Sequence, residues 1–279
     1  MSEEKAAPAG PDARNLMTRV ASAVVLVPLA IAAAWAGGWY WTALVTLCAI
    51  GLFVEWLMVT GVSGNAPLLV TGAAILAVAA PFLALRNVDI ALIVLALGVV
   101  AVAFRSSAPR SWPIGGFLYV AAAQVSSIVI RLDHREGFVA LVFILVVVWC
   151  ADMGGYFAGR AIGGAKLWPQ VSPNKTWAGA VGGFILGLLV AVGFAVSGFG
   201  RMGPLLIVAA VLSVASQLGD LFESAVKRRF GVKDSSQIIP GHGGLLDRLD
   251  GFVAAVVLAA ILGVLRGGAG GAGTGLMVW

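Results

Sequence analysis

Residues 203–224 read GPLLIVAAVLSVASQLGDLFES, an apolar run long enough to cross a bilayer as a helix, with acids only toward its far end. Runs of the same kind recur at 20–36, 39–60, 67–85, 88–104, 112–130, 137–158, 177–199 and 251–265. In hydrocarbon every backbone amide must be paired internally, so a spanning segment is a helix or part of a closed barrel. Continuous apolar runs exclude the alternating pattern of a barrel. Composition agrees: 60% of the 279 residues are apolar, only 11% are charged, and the mean hydropathy is +1.00. The predicted fold is all-α, a polytopic integral membrane protein of about nine transmembrane helices.

Working outward, residues 1–18 are polar, with Pro and Gly, and predict a disordered cytoplasmic segment. Residues 19–136 hold the N-terminal helices, and 137–266 hold helices joined by the most polar loops. The Gly-rich stretch 267–279 predicts a flexible tail. Ala32–Trp35 imitates a signal-cleavage site, but a second apolar run follows at once, so the first run is read as a transmembrane helix. Cys48 and Cys150 both lie in apolar runs, which points to packing rather than a disulfide framework. No internal repeat suggests the paired halves of a transporter.

Nine spans place 13 of the 18 Lys and Arg residues on one side, including Arg160, Lys166, Lys175, Lys227, Arg228, Arg229, Lys233 and Arg248. The other side keeps Arg86, Arg131, Arg135, Arg201 and Arg266. The positive-inside rule then orients the N-terminus to the cytoplasm and the C-terminus outside. Trp39, Tyr40, Trp41 and Trp112 are read as interface anchors.

Orientation alone does not account for 224–251, SAVKRRFGVKDSSQIIPGHGGLLDRLDG. Asp220, Glu223, Ser224 and Lys227 fall on one helix face, and Asp247 and Asp250 repeat the i, i+3 spacing. Asp220 lies about two turns inside the apolar run, where an unpaired carboxylate costs roughly 2–3 kcal/mol. A partner in Lys227 or Arg228 is the simpler account; a divalent cation held by carboxylates and substrate phosphate is the other. Gly241, Gly243 and Gly244 allow backbone N–H groups to approach an anion, and Lys227, Arg228, Lys233 and Arg248 supply positive charge. His242 is read equally as a ligand or as a residue fixing loop geometry, and His134 as a solvated loop residue. Glu55, within FVEWLMV, is either hydrogen-bonded to a neighbouring helix or part of a site. Together these features suggest a phosphate or nucleotide site.

The order Ser224, Lys227, Arg228, Lys233, Asp234, His242, Gly243, Gly244, Asp247, Arg248, Asp250 resembles the signature of the phosphatidate cytidylyltransferase (CDP-diacylglycerol synthase) family. A second block, DMGGYFAGRAIGGAKLWPQVSPNKTWAG from Asp152 to Gly179, is similar to the family's other conserved segment. It departs from the commoner form at Gly155, Asn174 and Ala178. The resemblance covers roughly 150–251; before that only hydropathy is shared.

The resemblance implies transfer of the cytidylyl group of CTP to phosphatidic acid, and makes 137–266 the catalytic region. It implies Asp220, Lys227, Asp247 and Asp250 as catalytic residues, with Asp220 and Asp247 as ligands of Mg²⁺ and room for a second cation. Asp152, Ser172, Lys175, Ser224, Arg228, Lys233, His242, Gly243, Gly244 and Arg248 would bind substrate. The expected setting is a bacterial inner membrane with the site facing the cytoplasm, no nucleic acid, and a homodimer as a candidate assembly. Two rivals stay open: a CTP-dependent polyprenol kinase, which would yield CDP, and an anion transporter, which would carry ionisable groups near the bilayer midplane.

Overall fold

A computed structural model describes residues 27–107, 109–236 and 243–279. Helix α1 occupies Val27–Ala36. It is followed by α2 (Gly38–Val59), α3 (Ala66–Ala84), α4 (Val88–Arg105), α5 (Ser111–Leu132) and α6 (Gly137–Ile162). A two-stranded antiparallel hairpin, β1 (Lys166–Trp168) and β2 (Ser172–Thr176), leads into α7 (Trp177–Val196), α8 (Met202–Arg229), α9 (Leu246–Gly267) and α10 (Ala272–Met277). Among the described residues eight helices, α2 to α9, are long and apolar enough to cross a membrane, close to the expected nine. Residues 20–26 of the expected first span, and all of residues 1–18, lie outside the described residues.

Two helices run past their apolar cores, and that extension builds the polar end. Helix α8 continues to Arg229, supported by the Glu223–Lys227 ion pair at i, i+4 and by three basic residues in its last turn. Helix α9 begins at Leu246, before its apolar run, with Asp247 in the first turn, where the helix dipole favours an acid.

Glycine sets the distance between α6 and α7. A Cβ on Gly154 would come within 2.8 Å of the Gly182 carbonyl, and one on Gly179 within 2.7 Å of the Gly155 carbonyl. Small residues thus let the two backbones approach as transmembrane helices do when no larger side chain intervenes. Gly155 is different: a Cβ there would lie an ordinary 3.6 Å from the Gly179 carbonyl.

Contacts sort the helix ends into two sets. Arg86 donates to the Leu132 carbonyl, Arg131 to the Ala34 and Trp35 carbonyls, and Asp133 accepts from the Thr274 amide at 2.5 Å. At the opposite end Asn65 donates to the Arg105 carbonyl at 2.9 Å, Trp56 to the Trp112 carbonyl at 2.8 Å, and Arg228 to the Val171 carbonyl at 3.3 Å. The two sets match the division of basic residues read from the sequence.

The expected flexible tail is instead folded. Helix α10 packs on α9 and α6 with Ala272, Leu276 and Met277 buried, and the Arg266 guanidinium lies 3.3 Å over the Trp279 ring. Burial alone would raise the pKa of Asp133, but hydrogen bonds from Thr274, Arg135 and Glu136 outweigh it and hold the carboxyl below the usual range. The glycines that suggested flexibility serve close packing: a Cβ on Gly273 would meet the Gly137 backbone at 2.7 Å. Of the expected interface anchors, one is packed inside and one is half-buried. Trp41 is buried and donates to the Ser127 carbonyl at 2.9 Å, and Trp112 stacks edge-on against Phe230 at 4.9 Å; Trp39 and Tyr40 stay exposed.

Candidate active site

The polar end is organised around Glu55, the fully buried acid of α2. Its carboxylate accepts hydrogen bonds from the hydroxyls of Ser235 (2.9 Å) and Ser236 (2.6 Å) and from the amides of Leu245 (2.8 Å) and Leu246 (2.6 Å). The first turn of a helix leaves such amides without partners and favours negative charge, so Glu55 completes the start of α9 from another helix. Of its two sequence readings, the hydrogen-bonded neighbour is the one observed.

Glycine makes this junction possible. Gly243 has φ 85, a left-handed conformation, and a Cβ on Gly244 would come within 2.6 Å of a Glu55 carboxylate oxygen. The Gly244 amide, expected to face an anion, donates instead to Asp247 at 2.9 Å, and the Ser235 amide donates to the same carboxylate at 3.1 Å. His242 lies outside the described residues.

Lys227 sits between two acids, 2.7 Å from Glu223 and 2.6 Å from Asp247. Expected to offset phosphate charge, it is engaged with carboxylates in this structure. Arg228 is likewise held, donating to the carbonyls of Val171 (3.3 Å) and Val232 (3.2 Å), and so ties the hairpin to the end of α8. Ser172 lies in β2 and Lys233 is exposed in the loop after α8.

Asp220 pairs with Lys175 of the hairpin, not with Lys227 or Arg228, and accepts from Ser224 at 3.4 Å. It also interacts electrostatically with Asp152 of α6 and Asp250 of α9, and Arg248 acts on Asp152. Asp250 accepts from its neighbouring Gly251 amide at 2.7 Å. Asp152 is exposed on a spanning helix, a position a carboxylate tolerates only where water or a polar cleft replaces lipid. The expected metal pair therefore falls into two adjoining groups: Asp220 with Asp152, Asp250 and Lys175, and Asp247 with Glu223 and Lys227.

Five carboxylates, Asp152, Asp220, Glu223, Asp247 and Asp250, thus share this end with the cations Lys175, Lys227 and Arg248. Within this cluster the carboxylates outnumber the cations, a balance that a bound cation would even out. Among the described residues no three His, Cys, Asp or Glu side chains form a ready-made metal cage. Mg²⁺ does not need one, since it binds through one or two carboxylates, waters and substrate phosphates. The donor set suits a hard divalent cation.

Sequence reasoning missed Ser235 and Ser236, whose partner Glu55 lies far earlier in the chain, and Tyr119. The Tyr119, Trp56 and Phe222 rings form a cluster, with Tyr119 5.6 Å from Trp56 and 5.9 Å from Phe222 and those two 6.2 Å apart, and the Tyr119 hydroxyl donates to the Asp250 carbonyl at 3.5 Å. A tyrosine in an apolar run gives no signal of that placement.

A family model described as the cytidylyltransferase family matches residues 17–265. The phosphatidate cytidylyltransferase of Brucella suis is 40% identical over 258 residues, spanning 90% of this chain and 94% of that protein. The phosphatidate cytidylyltransferase of Haemophilus influenzae is 45% identical over 138 residues, 46% of this chain and 48% of that one. The one from Bacillus subtilis is 43% identical over 145 residues, 50% of this chain and 54% of that one.

Proposed function

The chain belongs to the cytidylyltransferase family, and on that footing we propose that it joins CTP and phosphatidic acid to give CDP-diacylglycerol and pyrophosphate. The observation that carries this reading is the meeting of the signature acids and bases of α6, the hairpin, α8 and α9 at one end of the bundle. A site at the ends of spanning helices can receive a water-soluble nucleotide from one side and a lipid phosphate from the interface.

An oxygen of the lipid phosphate forms a bond to the α-phosphorus of CTP while the bond from that phosphorus to the bridging oxygen breaks, and pyrophosphate leaves with the electron pair. A phosphomonoester is already largely dianionic near neutral pH, since its second pKa is about 6, so no strong base is required. The protein's task is to bring two polyanions together. Lys175 and Arg248 stand beside the carboxylates to meet phosphate, and Lys233 is exposed at the rim. Lys227, fixed by Glu223 and Asp247, is positioned to exchange a carboxylate for a phosphate oxygen when substrate enters. Asp220, with Asp152 and Asp250 beside it, and Asp247 would offer carboxylates to Mg²⁺, which takes one or two of them together with waters and substrate phosphate. A bound divalent cation supplies charge neutralisation at the reacting phosphates.

The deciding assay uses purified protein in mixed micelles with phosphatidic acid, Mg²⁺ and CTP labelled at the α- or γ-phosphate. α-Label in lipid with γ-label in pyrophosphate is the expected result. Release of CDP with γ-label in an added polyprenol would sink the proposal in favour of a kinase, and in sealed proteoliposomes anion uptake without nucleotide turnover would sink it in favour of a transporter.

We further infer a bacterial inner-membrane location with this end in the cytoplasm, from the excess of Lys and Arg on its side. Lys166 in the hairpin and Arg135 at the far end are both exposed. A Lys166→Cys variant should react with a membrane-impermeant thiol reagent in inside-out vesicles and stay unlabelled in right-side-out ones. Arg135→Cys should do the reverse, and labelling of both from one side overturns the topology.

A further inference from the structure

Between α5 and α9 runs a groove of about 270 Å³, lined by Tyr119 and Ala122 of α5 and by Val253, Ala254, Val257, Leu258 and Ile261 of α9. On α9 these positions follow an i, i+1, i+4, i+5, i+8 spacing and share one helical face. The Tyr119 hydroxyl is the one polar side-chain group among these seven. The groove starts at the candidate active site, because that hydroxyl donates to the Asp250 carbonyl at 3.5 Å and Asp250 interacts electrostatically with Asp220 and Asp152. Its far end is open, with Ile261 50% exposed.

Length narrows the occupant. Asp250 to Ile261 spans about 16 Å of helix at 1.5 Å per residue. That is half of the roughly 30 Å hydrocarbon thickness, the depth of one leaflet. A lipid whose phosphate is held among Lys175, Arg248 and the carboxylates must lay its chains from that point toward the bilayer centre. A docking helix has no need to begin at a charge cluster or to end at mid-bilayer.

We propose that this groove holds one acyl chain of the phosphatidic acid substrate and sets chain selectivity, an inference that rests on the proposed cytidylyl transfer. With apolar walls the groove reads length and shape through packing contacts, because a chain that leaves bilayer hydrocarbon gains nothing from being removed from water. The Tyr119 ring lines its polar end and is backed by the Trp56 and Phe222 rings.

The test compares kcat/KM for dipalmitoyl and dihexanoyl phosphatidic acid in wild type, Ala122→Phe and Ile261→Trp. Ala122→Phe narrows the groove near its head and is expected to lower the long-to-short ratio about tenfold, with the KM for CTP within twofold of wild type. Ile261→Trp, at a half-exposed position whose change leaves the core intact, is expected to lower the ratio about threefold. A ratio unchanged in both variants overturns the groove. A phosphatidic acid carrying a diazirine in mid-chain reads occupancy without turnover, so it separates failure of the groove from failure of the proposed reaction. Labelling of α5 and α9 that excess phosphatidic acid removes and phosphatidylcholine does not supports the proposal. Labelling removed equally by both lipids shows a slot for bulk lipid and overturns it.

Discussion

Asp220→Ala and Asp247→Ala are each expected to lower kcat/KM by about a hundredfold or more, the scale seen when an electrostatic group at a developing charge is removed. The two should differ in stability. Asp220 and its partner Lys175 retain 32% and 27% side-chain exposure, so solvent can take over much of the broken pair. Asp220→Ala should therefore keep its melting temperature in detergent while losing turnover. Asp247 is more enclosed, with side-chain exposure of 12%, and it anchors Lys227 and the amides of Ser235 and Gly244. Removing it leaves two backbone donors unpaired and a charge with Glu223 alone, a loss of about 3 kcal/mol. Asp247→Asn, which keeps an acceptor for the amides, should regain most of the stability and little of the activity. Full activity in both alanine variants would show that neither acid serves the phosphates or a cation.

The spans were legible in the sequence because each must be apolar throughout its length. The run at 39–60 became Gly38–Val59, and 88–104 became Val88–Arg105. The hairpin at 166–176 was not legible, since KLWPQVSPNKT carries no alternation and its pairing depends on packing beside α7 and α8. The tail misled for a related reason. Glycine signals freedom in an isolated chain, but at Gly273 and Gly275 it permits contacts that a side chain would block. Within the site, spacing revealed which acids share a helix face but not which cation each meets. Lys175 reaches Asp220 only because the hairpin folds over the end of α8, and the sequence offered Lys227 as the nearer partner.

Glu55 carries the other large expectation. Glu55→Ala would strip four hydrogen-bond donors of their acceptor in a fully buried place, and its melting temperature should fall well below that of Asp220→Ala. Glu55→Gln is the more informative change. Its volume fits, but its –NH₂ group would confront donors where the carboxylate accepted from them. The expected relief is a shift of the 233–236 segment away from the start of α9. Because Asp247 binds the Ser235 amide and begins the same helix, that shift would misplace Asp247 and Lys227 together. A displacement of about 1 Å at a reacting centre can cost on the order of a hundredfold in rate. Glu55→Gln is therefore expected to lose kcat far more than KM for CTP, and to gain hydrogen exchange in 233–236 and 243–250 while α3 and α4 exchange as in wild type. The Glu55 carboxylate is taken up by the serine loop and the start of α9, so it acts as a positioning residue. Wild-type kcat in Glu55→Gln, with local exchange unchanged, would mean that the serine loop and the start of α9 hold their places without it.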